Sequence, residues 1–476
     1  MDIVINTTGI ERFLNLPPEQ IFWVFLGNFG WVIFGIVFLL GAREVWLVYI
    51  REQWEKTHKY ILLAIDIPRG NEQTPRAVEN MFAYLGGAHG TQSFYEKWFE
   101  GQYQKRFSYE IVSLEGYTQF LIRTPLEFRN LVESSVYSQY PDAEISEVDD
   151  YTDTVPQHYP DAEWDVFGAE FILQNPWYLP IKTYTEFEHQ IGPSETQFKD
   201  PMASLMDLCG SLRQGEQFWF QMLVTPCNFD WVKETQTQID KVLGRKKKVK
   251  PSMVAQGLNA LGQATETVWP IWGEIDASKA KKDEKRTMLD LTPKEKRQVE
   301  GIHLKSIKQS FYTKIRVVYV AKKEVMNKAK VFSGFVGYIK QFMSLDLNSF
   351  KPDVKGTMTK AVYFRQAPRL LGKKRRLFAN YVNRSDGGKV AYLLNTEELA
   401  TLWHFPIEAN VKSPMIQKAP GHKADAPSSL PLAEEDQPLP DDIFSGLKDK
   451  NEKTFQFTDL NSSDQVSAPP PNLPIV

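Results

Sequence analysis

A chain of 476 residues, 42% of them hydrophobic, has room for two or three domains with ordinary cores. Its formal net charge of −3 averages a basic middle and an acidic tail, so overall charge names no partner. Two cysteines, Cys209 and Cys227, exclude a disulfide framework and a CxxC knuckle, and the seven histidines form no HExxH.

In chain order, a short segment, 1–20, precedes a charge-free run from Ile21 to Ala42. At about 1.5 Å per residue this run suffices for a hydrocarbon core of about 30 Å. Asp2, Glu11 and Glu19 outnumber Arg12 ahead of it, unlike a secretory signal, so the run predicts an uncleaved transmembrane helix over 21–42. Arg43, Arg51, Lys56 and Lys59 follow it and predict an N-terminus outside and a cytoplasmic remainder. Gly27, Gly30 and Gly35 make no GxxxG pair, and the helical spacing continues over 43–59 as a juxtamembrane helix.

From residue 60 the period changes. YILLAIDI reads as a buried strand, and Thr74 with Pro75 opens a helix that Gly86 and Gly87 stop. FSYEIVSL and TQFLIR form a hairpin about Glu115 and Gly116, TPLE from Thr124 to Glu127 reads as a capping box, and EISEV is a last strand. The order βαββαβ over 60–151 predicts a ferredoxin-like module. A second pass of the same order spans 152–358 and carries a flexible basic insertion at about 245–291, with TPKE at Thr292 as another capping box. A small connector, 359–411, holds a basic helix, a DGG turn at Asp386 and a helix capped by Asn395 or Thr396. Residues 412–476 are rich in Pro, Ala, Ser, Asp and Glu and predict a disordered tail. The predicted fold class is therefore α+β: one N-terminal transmembrane helix, two tandem ferredoxin-like modules and a disordered C-terminal tail.

Catalytic motifs are missing. No GxxxxGK[ST] and no GxSxG occur, and neither cysteine has a motif that links it to a histidine, so no catalytic residue, metal site or cofactor is predicted. The carboxylates Glu144, Glu147, Asp149, Asp150 and Asp153 lack EF-hand spacing and read as a solvated connector. Two basic runs, Arg245, Lys246, Lys247, Lys248 and Lys250, then Lys373, Lys374, Arg375 and Arg376, are candidates for contact with anionic lipid or nucleic acid. Trp269 and Trp272 lie in the insertion as candidate interfacial anchors, and in the tail Ile443, Phe444, Leu447, Phe455, Phe457 and Leu460 are candidate partner-docking residues.

The stretches YILLAIDIPRGNEQTPRAVENMFAYL, FSYEIVSLEGYTQFLIRTP, LVESSVYSQYPDAEISEVDDY and LLNTEELATLWHFP resemble the N-terminal, membrane-anchored region of bacterial type IV secretion and DNA-transfer ATPases of the coupling-protein class. The likeness covers most of residues 45 to 410, and no Walker lysine, Walker aspartate or arginine finger matches. The resemblance implies a non-catalytic subunit or scaffold at the bacterial cytoplasmic membrane, forming a homo-oligomer or joining an ATPase-bearing paralogue. Two other readings stay open: a membrane-tethered DNA-binding protein that uses the basic insertion, and a scaffold that senses anionic lipid.

Overall fold

A computed structural model of the chain describes residues 17–68, 73–190, 196–198, 200–243 and 291–407. These belong to a compact unit, Met1–His422; a second unit, Lys423–Val476, lies outside the described residues, as do the predicted tail and the insertion.

The chain enters through helix α1 (Pro18–Lys56), with Pro18 in the first turn, where a missing N–H costs nothing. Among the described residues no helix is long and apolar enough to cross a membrane. The expected transmembrane helix over 21–42 and the single-pass placement in the cytoplasmic membrane with the N-terminus outside are corrected accordingly.

Beyond α1 come strand β1 (Tyr60–Asp66), helix α2 (Pro75–Leu85), the hairpin β2 (Phe107–Leu114) and β3 (Tyr117–Pro125), helix α3 (Arg129–Tyr137) and β4 (Glu144–Val148). The hairpin turn places Glu115 at φ 54° and Gly116 at φ 96°, the two left-handed positions that a two-residue turn needs to match strand twist. The second half supplies β5 (Trp164–Leu173), a small hairpin β6 (Glu188–Gln190) and β7 (Thr196–Phe198), helix α4 (Met202–Gly210), β8 (Glu216–Pro226) and helix α5 (Asp230–Val242). After the insertion follow α6 (Pro293–Ser306), β9 (Ser310–Lys322), α7 (Lys328–Lys340), β10 (Phe350–Pro352), α8 (Gln366–Val382), β11 (Tyr392–Asn395) and α9 (Thr396–Leu402).

Two small, separate modules are not what these elements build. Nine strands form one antiparallel sheet in the order β10-β5-β9-β8-β2-β3-β1-β4, with β11 on β9. Each half follows a corresponding strand path, but β2 and β8 pair from Phe107 opposite Val224 to Leu114 opposite Gln217. That pairing fuses the halves. Both strands are buried almost throughout, so neither has the charged, solvated character that keeps an exposed edge from pairing.

Strand alternation gives the sheet two covered faces. On one face Leu63, Ile65, Tyr109, Ile111, Phe220 and Ile315 meet α2, α3, α4, α7 and α9 in a core that runs through both halves. On the other, Leu62, Ala64, Val112, Trp219 and Val318 lie under Leu377, Phe378 and Tyr381 of α8.

The capping box at Thr292 closes as the sequence predicts; of the two candidates Asn395 and Thr396 the cap is Asn395, which forms a capping box of its own with its Oδ1 accepting from the Glu398 N–H at 2.8 Å. Thr124 is different. It lies inside β3, with Pro125 also in the strand, and α3 begins only at Arg129 after a 3-10 turn, so TPLE is no cap. Pairing with Ile61 across β1 holds Thr124 extended.

Candidate functional site

Beneath α8, one polar residue from each of four neighbouring strands lines up across the sheet. Glu110 of β2 stands opposite Gln221 of β8, Gln221 opposite Arg316 of β9, and Arg316 opposite Glu170 of β5. All four are buried. Such groups are tolerated away from water only when each finds partners, and here each does.

Gln221 Nε2 donates to Glu110 Oε1 at 3.1 Å and to the Tyr381 carbonyl at 3.1 Å. Arg316 Nε donates to Glu170 Oε1 at 2.9 Å, and its Nη1 to the Asn380 carbonyl at 3.0 Å. Arg384, just past α8, closes the row. Its Nε and Nη2 donate to the two oxygens of Glu110, at 3.0 and 3.1 Å, and Nη1 reaches Asp150. Ser108 at 2.5 Å and Tyr151 at 2.7 Å donate their hydroxyls to the same glutamate.

Desolvation drives the Glu110 carboxyl upward, but the charge of Arg384 and the hydrogen bonds from Arg384, Ser108 and Tyr151 outweigh it and hold the group below its ordinary value. Asp150 is lowered in the same way: burial opposes, while Arg384 and Thr152 prevail. The Arg384 guanidinium, resisted by burial, is held well above its usual value, first by Glu110. At Arg316 burial wins over Glu170, and the net direction is down.

The DGG turn seals the far end. Glu170 Oε2 accepts from the Lys389 N–H at 2.8 Å, and a Cβ on Gly388, at φ +100°, would stand 2.2 Å from Glu170 Oε1. Only glycine lets the backbone approach that carboxylate. Chemically the row is a latch, because every carboxylate in it is held by a cation or an amide and none faces an open cleft. The sequence offered one misread signal for it. Asp150, expected in a solvated acidic connector, instead grips Arg384 and accepts from the Thr152 N–H at 3.1 Å.

Two further buried pairs lie elsewhere. Lys305 Nζ meets Glu398 Oε2 at 2.9 Å with both side chains fully buried, and desolvation, opposed by Glu398, lowers the lysine. His404 Nε2 lies 2.9 Å from Asp200 Oδ1. Among the described residues no group of three or more His, Cys, Asp or Glu is placed to hold a metal ion.

The predicted contact residues fall unevenly. Arg245, Lys246, Lys247, Lys248 and Lys250, together with Trp269, Trp272 and the tail residues Ile443, Phe444, Leu447, Phe455, Phe457 and Leu460, lie outside the described residues. In the second run, Lys373 Nζ donates to the carbonyls of Lys355 and Lys360 at 3.0 and 3.1 Å, Lys374 pairs with Asp165, and Arg375 Nε donates to the Tyr159 carbonyl at 2.6 Å. Arg376 is exposed. Three of the four side chains thus fasten α8 to the body.

The surface that stands open is apolar. Trp31 and Phe34 of α1 are 72% and 74% exposed, and Val37, Phe38, Leu39, Val45 and Val48 are exposed as well. Toward its end α1 seats on the body, through buried Leu47 and Ile50 and a hydrogen bond from Trp46 Nε1 to the Trp98 carbonyl at 3.0 Å. Beside that contact a turn exposes Phe94, Tyr95 and Phe99, with the last two rings stacked 5.2 Å apart. Sequence reasoning passed over these three.

Compared with known proteins, residues 56–413 match a family model described as a domain of unknown function, DUF8128. None of the curated proteins compared with the chain matches it. Neither result carries a link to secretion or conjugation, and those descriptors are withdrawn.

Proposed function

The chain belongs to the DUF8128 family, and from its surfaces we propose that it is a non-catalytic assembly subunit, which joins copies of itself through α1 and serves as a scaffold for an ATPase-bearing partner. The observation that carries this reading is the row of exposed apolar side chains on α1 at Phe34, Ile36, Val37, Phe38, Leu39 and Leu40. A helix apolar on all sides is a buried helix in its working state, and equivalent helices from other copies bury it with matching chemistry. The aromatic turn at Phe94, Tyr95 and Phe99 extends the same surface onto the body.

The latch beneath α8 supports the scaffold part, since its hydrogen bonds link strands of both halves of the sheet across the β2–β8 seam. The ATPase-bearing partner rests on the sequence resemblance alone.

Sedimentation of the full chain tests the proposal, set against a variant carrying Phe34→Ser and Phe38→Ser. The native chain should sediment as an oligomer and the variant as a monomer. A monomeric native chain, or one that hydrolyses ATP unaided, refutes the reading.

A further inference from the structure

From Val354 to Ser385 the chain holds nine basic residues and no acidic one. Lys373, Lys374, Arg375 and Arg384 serve the body, as described above. Lys355, Lys360, Arg365, Arg369 and Arg376 are exposed, and none of them forms an ion pair among the described residues. On a helix of 3.6 residues per turn, positions 369 and 376 fall within about 20° of each other, and Arg365 stands at the N-cap of the same helix, so the cations run along α8 from its start. Lys373 donates to the carbonyls of Lys355 and Lys360, which ties the segment carrying those two lysines to α8.

At the head of the stripe stand two aromatic rings in succession. Tyr363 and Phe364 are 83% and 79% exposed. The backbone there is built rather than slack: Tyr363 and Arg365 hold φ of 68° and 52°, and Arg369 Nη1 donates to the carbonyls of Val362 and Phe364, each at 3.3 Å. Strained, non-glycine left-handed residues persist where the surroundings fix them, often at contact sites.

We infer that this surface binds single-stranded nucleic acid, its bases stacking on Tyr363 and Phe364 and its phosphates following Lys360, Arg365, Arg369 and Arg376. Adjacent aromatic faces beside a line of cations that form no ion pair among the described residues, with Arg365 lying over the Phe364 ring at 5.7 Å, are the two parts of a sequence-tolerant strand site. An anionic membrane fits less well. The apolar side of α8 is spent on the sheet through Leu377, Phe378 and Tyr381, which leaves only the short tip at Val362, Tyr363 and Phe364 to insert rather than the length of an amphipathic helix. The inference is independent of the assembly surface on α1.

Fluorescence anisotropy of a labelled twenty-nucleotide oligodeoxythymidylate with the full chain tests it. Y363A/F364A should weaken binding at least tenfold, and R365Q/R376Q should make the salt slope shallower by about 0.7 for each charge removed. All four side chains are exposed, so the thermal midpoint, measured in parallel, should hold. If Y363A/F364A lost its fold, the charge variant would still decide. Absence of binding, affinity unchanged in both variants, or uptake by phosphatidylserine vesicles without oligonucleotide binding would overturn the inference.

Discussion

Arg384 and Glu110 stand 274 residues apart in the chain and meet through two parallel hydrogen bonds, at 3.0 and 3.1 Å, with both side chains buried. This side-on pair ties the segment after α8 to the second strand of the sheet. It is the anchor of the row that continues through Gln221, Arg316 and Glu170.

Breaking one side of that pair should cost far more than removing both. Arg384→Gln leaves an uncompensated buried carboxylate and should lower stability by about 3–5 kcal/mol in urea unfolding. Adding Glu110→Gln should recover part of the loss. A double variant as unstable as the sum of its two single variants would show that the pair is not coupled.

The carboxylates set an acid limit. Glu110, Asp150 and Asp200 all have folded-state values below their ordinary ones, each against the opposing effect of burial and through Arg384 or His404. Groups depressed by folding contribute stability that is present above the unfolded values of about 3.9–4.3 and lost as pH falls through the folded ones. The thermal midpoint should therefore hold from pH 7 to about pH 5 and drop steeply below about pH 4. Arg384→Gln should flatten that drop, and an equally steep fall in the variant would place the acid sensitivity elsewhere.

Both thiols should be silent in the native protein. Burial pushes Cys209 and Cys227 up to about 12, so almost no thiolate exists at pH 8 for a thiol reagent to meet. Two equivalents should react after denaturation in urea. Rapid native reaction at either site would contradict the packing described here.

Trp403 should act as a shared keystone. Its ring lies 4.9 Å from Tyr109, 5.7 Å from Phe120 and 6.5 Å from Phe82, all in the first half of the chain. Trp403→Ala should cost about 3–5 kcal/mol. Hydrogen exchange should then speed up in β2 as well as in α9, whereas an effect confined to α9 would mean that the C-terminal segment is an appendage.

Local chemistry made much of the element list readable. Short apolar runs mark β1, β2, β8 and β9, and a reciprocal Thr292 and Glu295 pair marks the start of α6, because those signals act within a few residues. TPLE misled for the complementary reason: a capping box proposes a helix, but cross-strand pairing of Thr124 with Ile61 commits the same residues to β3. The apolar run 21–42 gave the helix that α1 shows over its length, while the membrane crossing inferred from it did not follow.

By itself, then, the sequence determined most of the order of strands and helices, since propensity, capping and alternation are properties of neighbours. Only the tertiary structure decided that β2 joins β8, turning two repeats of strand order into one sheet, and that Glu110, Gln221, Arg316 and Glu170 form a row. In FSYEIVSL a single glutamate has the spacing of a solvated position. What makes it a buried one is an arginine 274 residues away, and long-range pairing of charges leaves no periodicity for a sequence to show.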